Sequence, residues 1–168
     1  NPFELFQKGV GQKFDLNKDY VVVMQHPVTT ELHKSFEQIN ETLRAIHKLK
    51  IPTFWFWPNV DAGSDKISKG IRIFREKNDV PFIHFFKNMS PENFLKLLIN
   101  SKCLIGNSST GIRECSFLGI PVVNVGDRQK RRLRAKNVLD VYYNSLEISN
   151  AIKSQIENGK YVKSTIYG

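Results

Sequence analysis

His26, the hydroxyl pair Ser108 and Ser109, Glu114 and Arg128 are the side chains of this 168-residue chain whose types and settings could do chemistry, and each follows shortly after an apolar run. His26 stands in Gln25-His26-Pro27-Val28-Thr29-Thr30-Glu31. Pro27 removes a backbone donor and keeps the chain extended, so the imidazole projects beyond the end of the run. It can donate a hydrogen bond to developing negative charge, or it can serve as a structural hydrogen-bonding residue. Alone it fits the second reading better; the polar company in the neighbouring loops favours the first.

In Gly106-Asn107-Ser108-Ser109-Thr110-Gly111 two glycines flank three hydroxyls at a strand-to-helix turn. Ser108 and Ser109 would offer hydroxyls and amides where unpaired N–H groups and the helix dipole favour a pyrophosphate. Glu114, one turn later, would repel phosphate but could accept hydrogen bonds from both hydroxyls of a neutral diol such as a ribose. A plain helix N-cap followed by a solvent-facing Glu114 fits the same residues equally well, and this is not the dinucleotide glycine fingerprint. Arg128, in Gly126-Asp127-Arg128-Gln129, presents a planar fork suited to phosphate. Among 25 basic residues it also fits a surface charge. Asn59 and Asp61, in Pro58-Asn59-Val60-Asp61-Ala62-Gly63-Ser64, fit a turn, Asp61 above all. His33, His47 and His84 show no metal-ligand spacing, so no metal site and no role is assigned to them.

The elements that must position these loops follow from the apolar pattern. Short runs at Tyr20–Gln25, Thr53–Trp57, Pro81–Phe86, Cys103–Gly106 and Pro121–Val125 read as strands, most too uniformly apolar to alternate and therefore buried on both faces. Helices alternate with them. Thr29 or Thr30 would cap a helix with Leu32, Phe36, Ile39, Leu43 and Ile46 on its apolar face; Ser64 would cap one carrying Ile67, Ile71 and Phe74. Ser90-Pro91-Glu92 supplies a cap, a proline at the first position and an acid in the first turn, ahead of Phe94, Leu95 and Leu98. A short helix from near Thr110 stops at Gly119, and a last one runs from Ser145 to Glu157 before Gly159. The alternation predicts an α/β fold, a doubly wound parallel sheet with helices on both sides. In such a sheet ligands bind beyond the carboxyl ends of the strands, where all the loops above lie.

Composition sets bounds. A chain that is 40% hydrophobic and 11% aromatic suits one core, with residues 1–18 as a linker segment and 19–168 as the domain. The net charge of +9 calls for an anionic partner. Much of it sits in Lys130-Arg131-Arg132-Leu133-Arg134-Ala135-Lys136, where no aromatics interleave; that favours a solvated or phosphate-facing loop over nucleic-acid binding. Cys103 and Cys115 read as reduced, near-core thiols. Nothing resembles a signal peptide or a bilayer span, so a cytoplasmic, unexported protein without membrane attachment is expected.

Taken in order and spacing, the four loops resemble the C-terminal domain of hydrolysing UDP-N-acetylglucosamine 2-epimerases, from about Tyr20 to Tyr167. The resemblance implies a Rossmann-like fold forming one half of a GT-B-like two-domain enzyme, with the N-terminal domain absent from this chain. It implies further that His26 contacts the UDP phosphates near the reacting sugar as the catalytic residue of this half. Ser108 and Ser109 would bind the diphosphate, Glu114 the ribose and Met89 the uracil through its backbone, with Asn59 and Arg128 completing the pocket. The family reaction eliminates UDP across C1 and C2 of the sugar and then adds water, giving N-acetylmannosamine; UDP is part of substrate and product, and no dissociable cofactor is needed. A sialic-acid or surface-polysaccharide role and a homo-oligomeric full-length enzyme belong to the same implication.

Pro27-Val28-Thr29-Thr30 stands where non-hydrolysing relatives tend to carry Arg-Arg-Glu-Asn, which favours hydrolysis. Arg131 occupies a place where relatives usually have glycine, and the chain stops before the family's terminal helix. The competing readings are the nucleotide-donor domain of a GT-B glycosyltransferase and a nucleic-acid-binding module built on the basic loop. By itself, this half is expected to bind UDP but not to turn the substrate over.

Overall fold

The uniformly apolar runs become the interior of one sheet. The computed structural model describes residues 9–10, 17–28, 33–56, 64–86 and 89–167. In chain order the elements are β1 (Gly9–Val10), β2 (Val21–Met24), α1 (Ser35–Leu49), β3 (Thr53–Phe56), α2 (Ser64–Lys77), β4 (Ile83–Phe86) and α3 (Pro91–Ile99). There follow β5 (Leu104–Gly106), α4 (Ser109–Ile112), α5 (Glu114–Leu118), β6 (Val122–Val125), β7 (Val138–Val141) and α6 (Ser145–Asn158). The strands lie in the order β1-β4-β3-β2-β5-β6-β7. β2 to β7 are parallel, and β1 is antiparallel to β4.

Alternation along each strand divides the core in two. Val21, Val23, Trp55, Ile83, Phe85, Ile105, Val123 and Val125 face α1, α2 and α6, which contribute Ile39, Leu43, Ile46, Ile71, Phe74, Ile148 and Ile152. Tyr20, Val22, Phe54, Phe56, Phe86, Leu104 and Val122 form the other face with Leu97 and Leu98 of α3 and Cys115 of α5. Burying one large aliphatic or aromatic side chain contributes about 1.5–3 kcal/mol, so these two layers dominate the stability. Both cysteines are free and buried, and burial raises both thiol pKa values above the ordinary range.

The start and stop signals act as their chemistry dictates. Ser90 Oγ accepts from the Asn93 N–H and Pro91 opens α3; Gly119, at φ 74°, ends α5; Gly159 ends α6, which Asn144 caps. Three details differ from the sequence reading. Leu95 points outward at 44% exposure. The helix after β5 is broken at Arg113 into α4 and α5. β7 was not foreseen, because Val138-Leu139-Asp140-Val141 is a half-exposed edge strand that carries a carboxylate. Within the segment read as a linker, Gly9 and Val10 pair with Phe86 and Phe85. The cap at Thr29 or Thr30, Leu32, and the turn with Asn59 and Asp61 lie outside the described residues, as do the side chains of Ser64 and Ile67. Among the described residues no helix is long and apolar enough to cross a membrane.

Candidate functional site

The chain winds outward from β2 to β3 to β4, then returns to lay β5 against the other side of β2. Neighbouring loops at such a switch point diverge to opposite faces and leave a crevice beyond the carboxyl ends of the strands. Here the two loops concerned are those carrying His26 and Asn107-Ser108.

β5 ends at Gly106, with φ +133°, so close to β2 that a Cβ on it would lie 1.9 Å from the Met24 carbonyl oxygen. Only glycine fits that approach. The Asn107 N–H then donates to the Met24 carbonyl at 3.1 Å. Beyond this last strand pair the Asn107 side chain takes over from the ladder: its Oδ1 accepts from the His26 N–H at 2.7 Å, and its Nδ2 donates to the His26 carbonyl at 2.8 Å. The Asn107 carbonyl in turn accepts from Arg128 Nη1 at 3.0 Å and from Gln129 Nε2 at 3.1 Å. One asparagine therefore joins the loops after β2, β5 and β6.

The same centre is dry on one side and open on the other. Asn107 is 1% exposed and Gln129 5%, whereas His26 and Ser109 are half-buried and Arg128 exposed. Gln25, one residue before His26, is anchored to α1: its Oε1 accepts from Thr42 Oγ1 at 2.6 Å. The basic segment is anchored by Arg134, which donates to Asp140 at 2.7 Å and to the Gln129 carbonyl at 2.8 Å, and by the Leu133 carbonyl, which accepts from Tyr167 OH at 2.6 Å; Asp140 also accepts from Asn124 at 2.7 Å. Lys130, Arg131 and Arg132 stay exposed around it. Arg128 therefore leaves a base braced on both sides, with one guanidinium nitrogen already directed at Asn107.

Ser108 is buried, and its Oγ accepts from the Thr110 N–H at 3.2 Å, so it does cap α4. Ser109 begins that helix. Glu114 opens α5, exposed and with no ion pair among the described residues. It borders a pocket of about 340 Å³ with Leu95, Arg113, Phe117, Leu118, Ser164 and Tyr167, a mostly apolar hollow with a carboxylate and a guanidinium in its lining. Met89 is half-buried immediately before α3, packed against the second core cluster. Asn59 lies outside the described residues. His33 is exposed on the approach to α1; His47 packs edge-on against Phe74, and His84 is buried in β4, both in core surroundings. Among the described residues no three His, Cys, Asp or Glu side chains are grouped to hold a metal ion.

Asn107 and Gln129 stand within the loops singled out in the sequence, where their residue types alone assign them no role. The available signal was the position of Asn107, a polar residue directly after a strand-ending glycine. Its side chain completes a ladder between two strands distant in sequence, which no local pattern reveals.

The architecture is that of a Rossmann-like α/β domain. A family model described as UDP-N-acetylglucosamine 2-epimerase matches residues 3–168, and the chain belongs to that family. It is 32% identical over 133 residues to a GDP/UDP-N,N'-diacetylbacillosamine 2-epimerase (hydrolyzing) of Campylobacter jejuni, covering 79% of this chain and 34% of that protein. It is 31% identical over 144 residues to a UDP-N-acetylglucosamine 2-epimerase of Neisseria meningitidis serogroup B, covering 86% and 37%. The crystal structure of the Methanocaldococcus jannaschii UDP-GlcNAc 2-epimerase in complex with UDP-GlcNAc and UDP superposes with a TM-score of 0.71 at 13% identity, over 100% of this chain and 44% of that one. The chain thus spans little more than a third of the length of these two curated relatives.

Proposed function

We propose that this chain is the UDP-binding domain of a hydrolysing UDP-N-acetylglucosamine 2-epimerase, cytoplasmic and serving sialic-acid-type or surface-polysaccharide synthesis. The observation that carries the reading is the union of His26 and Arg128 through Asn107 at the switch point, in a chain of this family. His26 faces the phosphates of the departing UDP and donates a hydrogen bond as negative charge builds on them. Arg128 neutralises the diphosphate, with Ser108 and Ser109 beside it. Glu114 holds the ribose hydroxyls, Met89 borders the base, and Asn59 completes the pocket.

Elimination requires that a base remove the proton on sugar C2 while the C1–O bond breaks and UDP leaves with the electron pair; water then adds to the resulting double bond. The side chains assigned above are committed to diphosphate and ribose, so the base belongs to the facing N-terminal half. Hydrolysis as the outcome is supported by Pro27-Val28 after His26 and by the hydrolysing Campylobacter relative. No dissociable cofactor enters this scheme, and the full-length enzyme works as a homo-oligomer.

The test is to incubate the chain with UDP-N-acetylglucosamine, beside the full-length enzyme, and to follow UDP and N-acetylmannosamine by proton NMR. Binding of UDP without turnover is expected of the chain alone, and release of both products by the full-length enzyme. Release of both products by the chain at the full-length rate would place a base within it and overturn the division of labour. Transfer of the sugar to an acceptor would make the protein a glycosyltransferase instead.

A further inference from the structure

We infer that Asn107 is the positioning residue of the nucleotide site, acting through its side-chain amide to hold the His26 backbone and through its carbonyl to hold Arg128, so that both meet the same diphosphate. This rests on the proposed UDP site for the identity of the ligand.

Asn107 is 1% exposed, so its amide does not face the ligand; its hydrogen bonds reach sideways to two other loops. Both bonds to the His26 backbone are short, 2.7 and 2.8 Å, and run in opposite directions. A primary amide satisfies both at once, accepting through its oxygen and donating through its nitrogen. Aspartate would keep the bond to the His26 N–H but set a carboxylate against the His26 carbonyl. Alanine would leave both groups without these partners at the mouth of the crevice, where Pro27 supplies no N–H to compensate. The position is also fixed from behind, because Gly106 permits the close approach to Met24 that brings the Asn107 amide within reach. Loss of the side chain would therefore free the His26 loop relative to Arg128 without removing a group that touches UDP.

The experiment measures UDP affinity by calorimetry for the wild-type chain, Asn107→Ala, His26→Ala and the double variant, together with histidine-ring and arginine Nε NMR spectra without nucleotide. Asn107→Ala is expected to weaken UDP about tenfold. In the His26→Ala background the same change should cost less than about threefold, because its effect passes through His26. The His26 ring signal should shift or broaden in Asn107→Ala while the Trp55 indole signal stays in place. Losses that simply add, or an unmoved His26 ring, would overturn the inference. Asn107→Asp, nearly isosteric, provides a second variant should Asn107→Ala fail to fold, with the same shift of the His26 ring expected. If the wild-type chain does not bind UDP, the proposed function falls, and the nucleotide-free spectra still decide whether Asn107 positions His26.

Discussion

The two ends of the sheet each contain a buried asparagine at the centre of a hydrogen-bond cluster, and they use it differently. At the amino ends of β6 and β7, Asn137 donates to the Ile120 carbonyl at 2.9 Å and accepts from Ser116 Oγ at 3.1 Å. Gln155 donates to the carbonyls of Val122 and Asn137 at 2.7 and 2.9 Å, and its Oε1 accepts from Tyr161 OH at 2.6 Å. That cluster is closed, its polar atoms directed at one another and at the backbone. At the carboxyl ends, Asn107 is equally buried, but it holds the His26 backbone and the Arg128 guanidinium, and of these residues His26 is half-buried and Arg128 exposed. A closed cluster stabilises the fold; one whose buried member orients partly exposed neighbours leaves polar groups available for a further partner.

The sharpest way to break the open end is Gly106→Ala. A Cβ 1.9 Å from the Met24 carbonyl, on a residue at φ +133°, cannot be accommodated without separating β2 from β5. The loss of stability is expected to exceed about 3 kcal/mol, read from urea denaturation. A variant that unfolds within about 1 kcal/mol of wild type would show that the two strands can part cheaply.

The closed end is tested by Gln155→Leu, which leaves the Val122 carbonyl and Tyr161 OH without these partners. About 2–3 kcal/mol of stability should be lost, with UDP affinity unchanged. A matching fall in affinity would mean that the two ends are coupled and the contrast drawn above is false. Glu114→Ala is the reciprocal case. If the charged hydrogen bonds to ribose are lost, UDP should weaken by roughly 1.5–3 kcal/mol in calorimetry while the melting temperature holds. An unchanged affinity would remove Glu114 from the site.

This contrast also explains what could be read from the sequence. The five apolar runs and the caps at Ser90, Gly119 and Gly159 are local signals, each set by a few neighbouring residues, and the five parallel strands they imply form the middle of the observed sheet. The His26, Ser108, Glu114 and Arg128 loops could be singled out as candidates because ligand sites in wound sheets follow strand ends. Three features were not. β7 pairs along an exposed edge where Asp140 interrupts the apolar pattern, although that same carboxylate anchors Arg134. The break at Arg113 divides a helix whose sequence carries no proline there. Asn107 acts on His26, 81 positions before it, and on Arg128 and Gln129, 21 and 22 positions after it, and only the switch in strand order makes them neighbours.

The smallest expected effect belongs to Tyr20, which stands just before β2 at the closed end and donates to the Leu97 carbonyl at 2.6 Å. Tyr20→Phe keeps the ring against Phe54 and removes only the hydroxyl, so near neutral pH it should cost about 1 kcal/mol. The pH dependence separates this bond from simple packing. Burial pushes the phenol up from 10.0 to about 12 in the folded chain, since the ionised form is poorly solvated there. A group whose folded pKa is raised contributes its full stability below its unfolded value; that contribution is lost as pH climbs from 10.0 toward about 12, because the unfolded chain can shed the proton and the folded one holds it. Phenylalanine has no proton to lose. The buried thiols of Cys103 and Cys115 drive the same alkaline decline in both proteins and cancel in the difference. Urea unfolding of the two proteins at pH 8 and at pH 11 should therefore show a clear gap at the lower pH and a smaller or reversed one at the higher. A gap of the same size at both would mean that the Tyr20 hydroxyl ionises as readily in the folded chain as in the unfolded one, and that this end of the sheet is open to water after all.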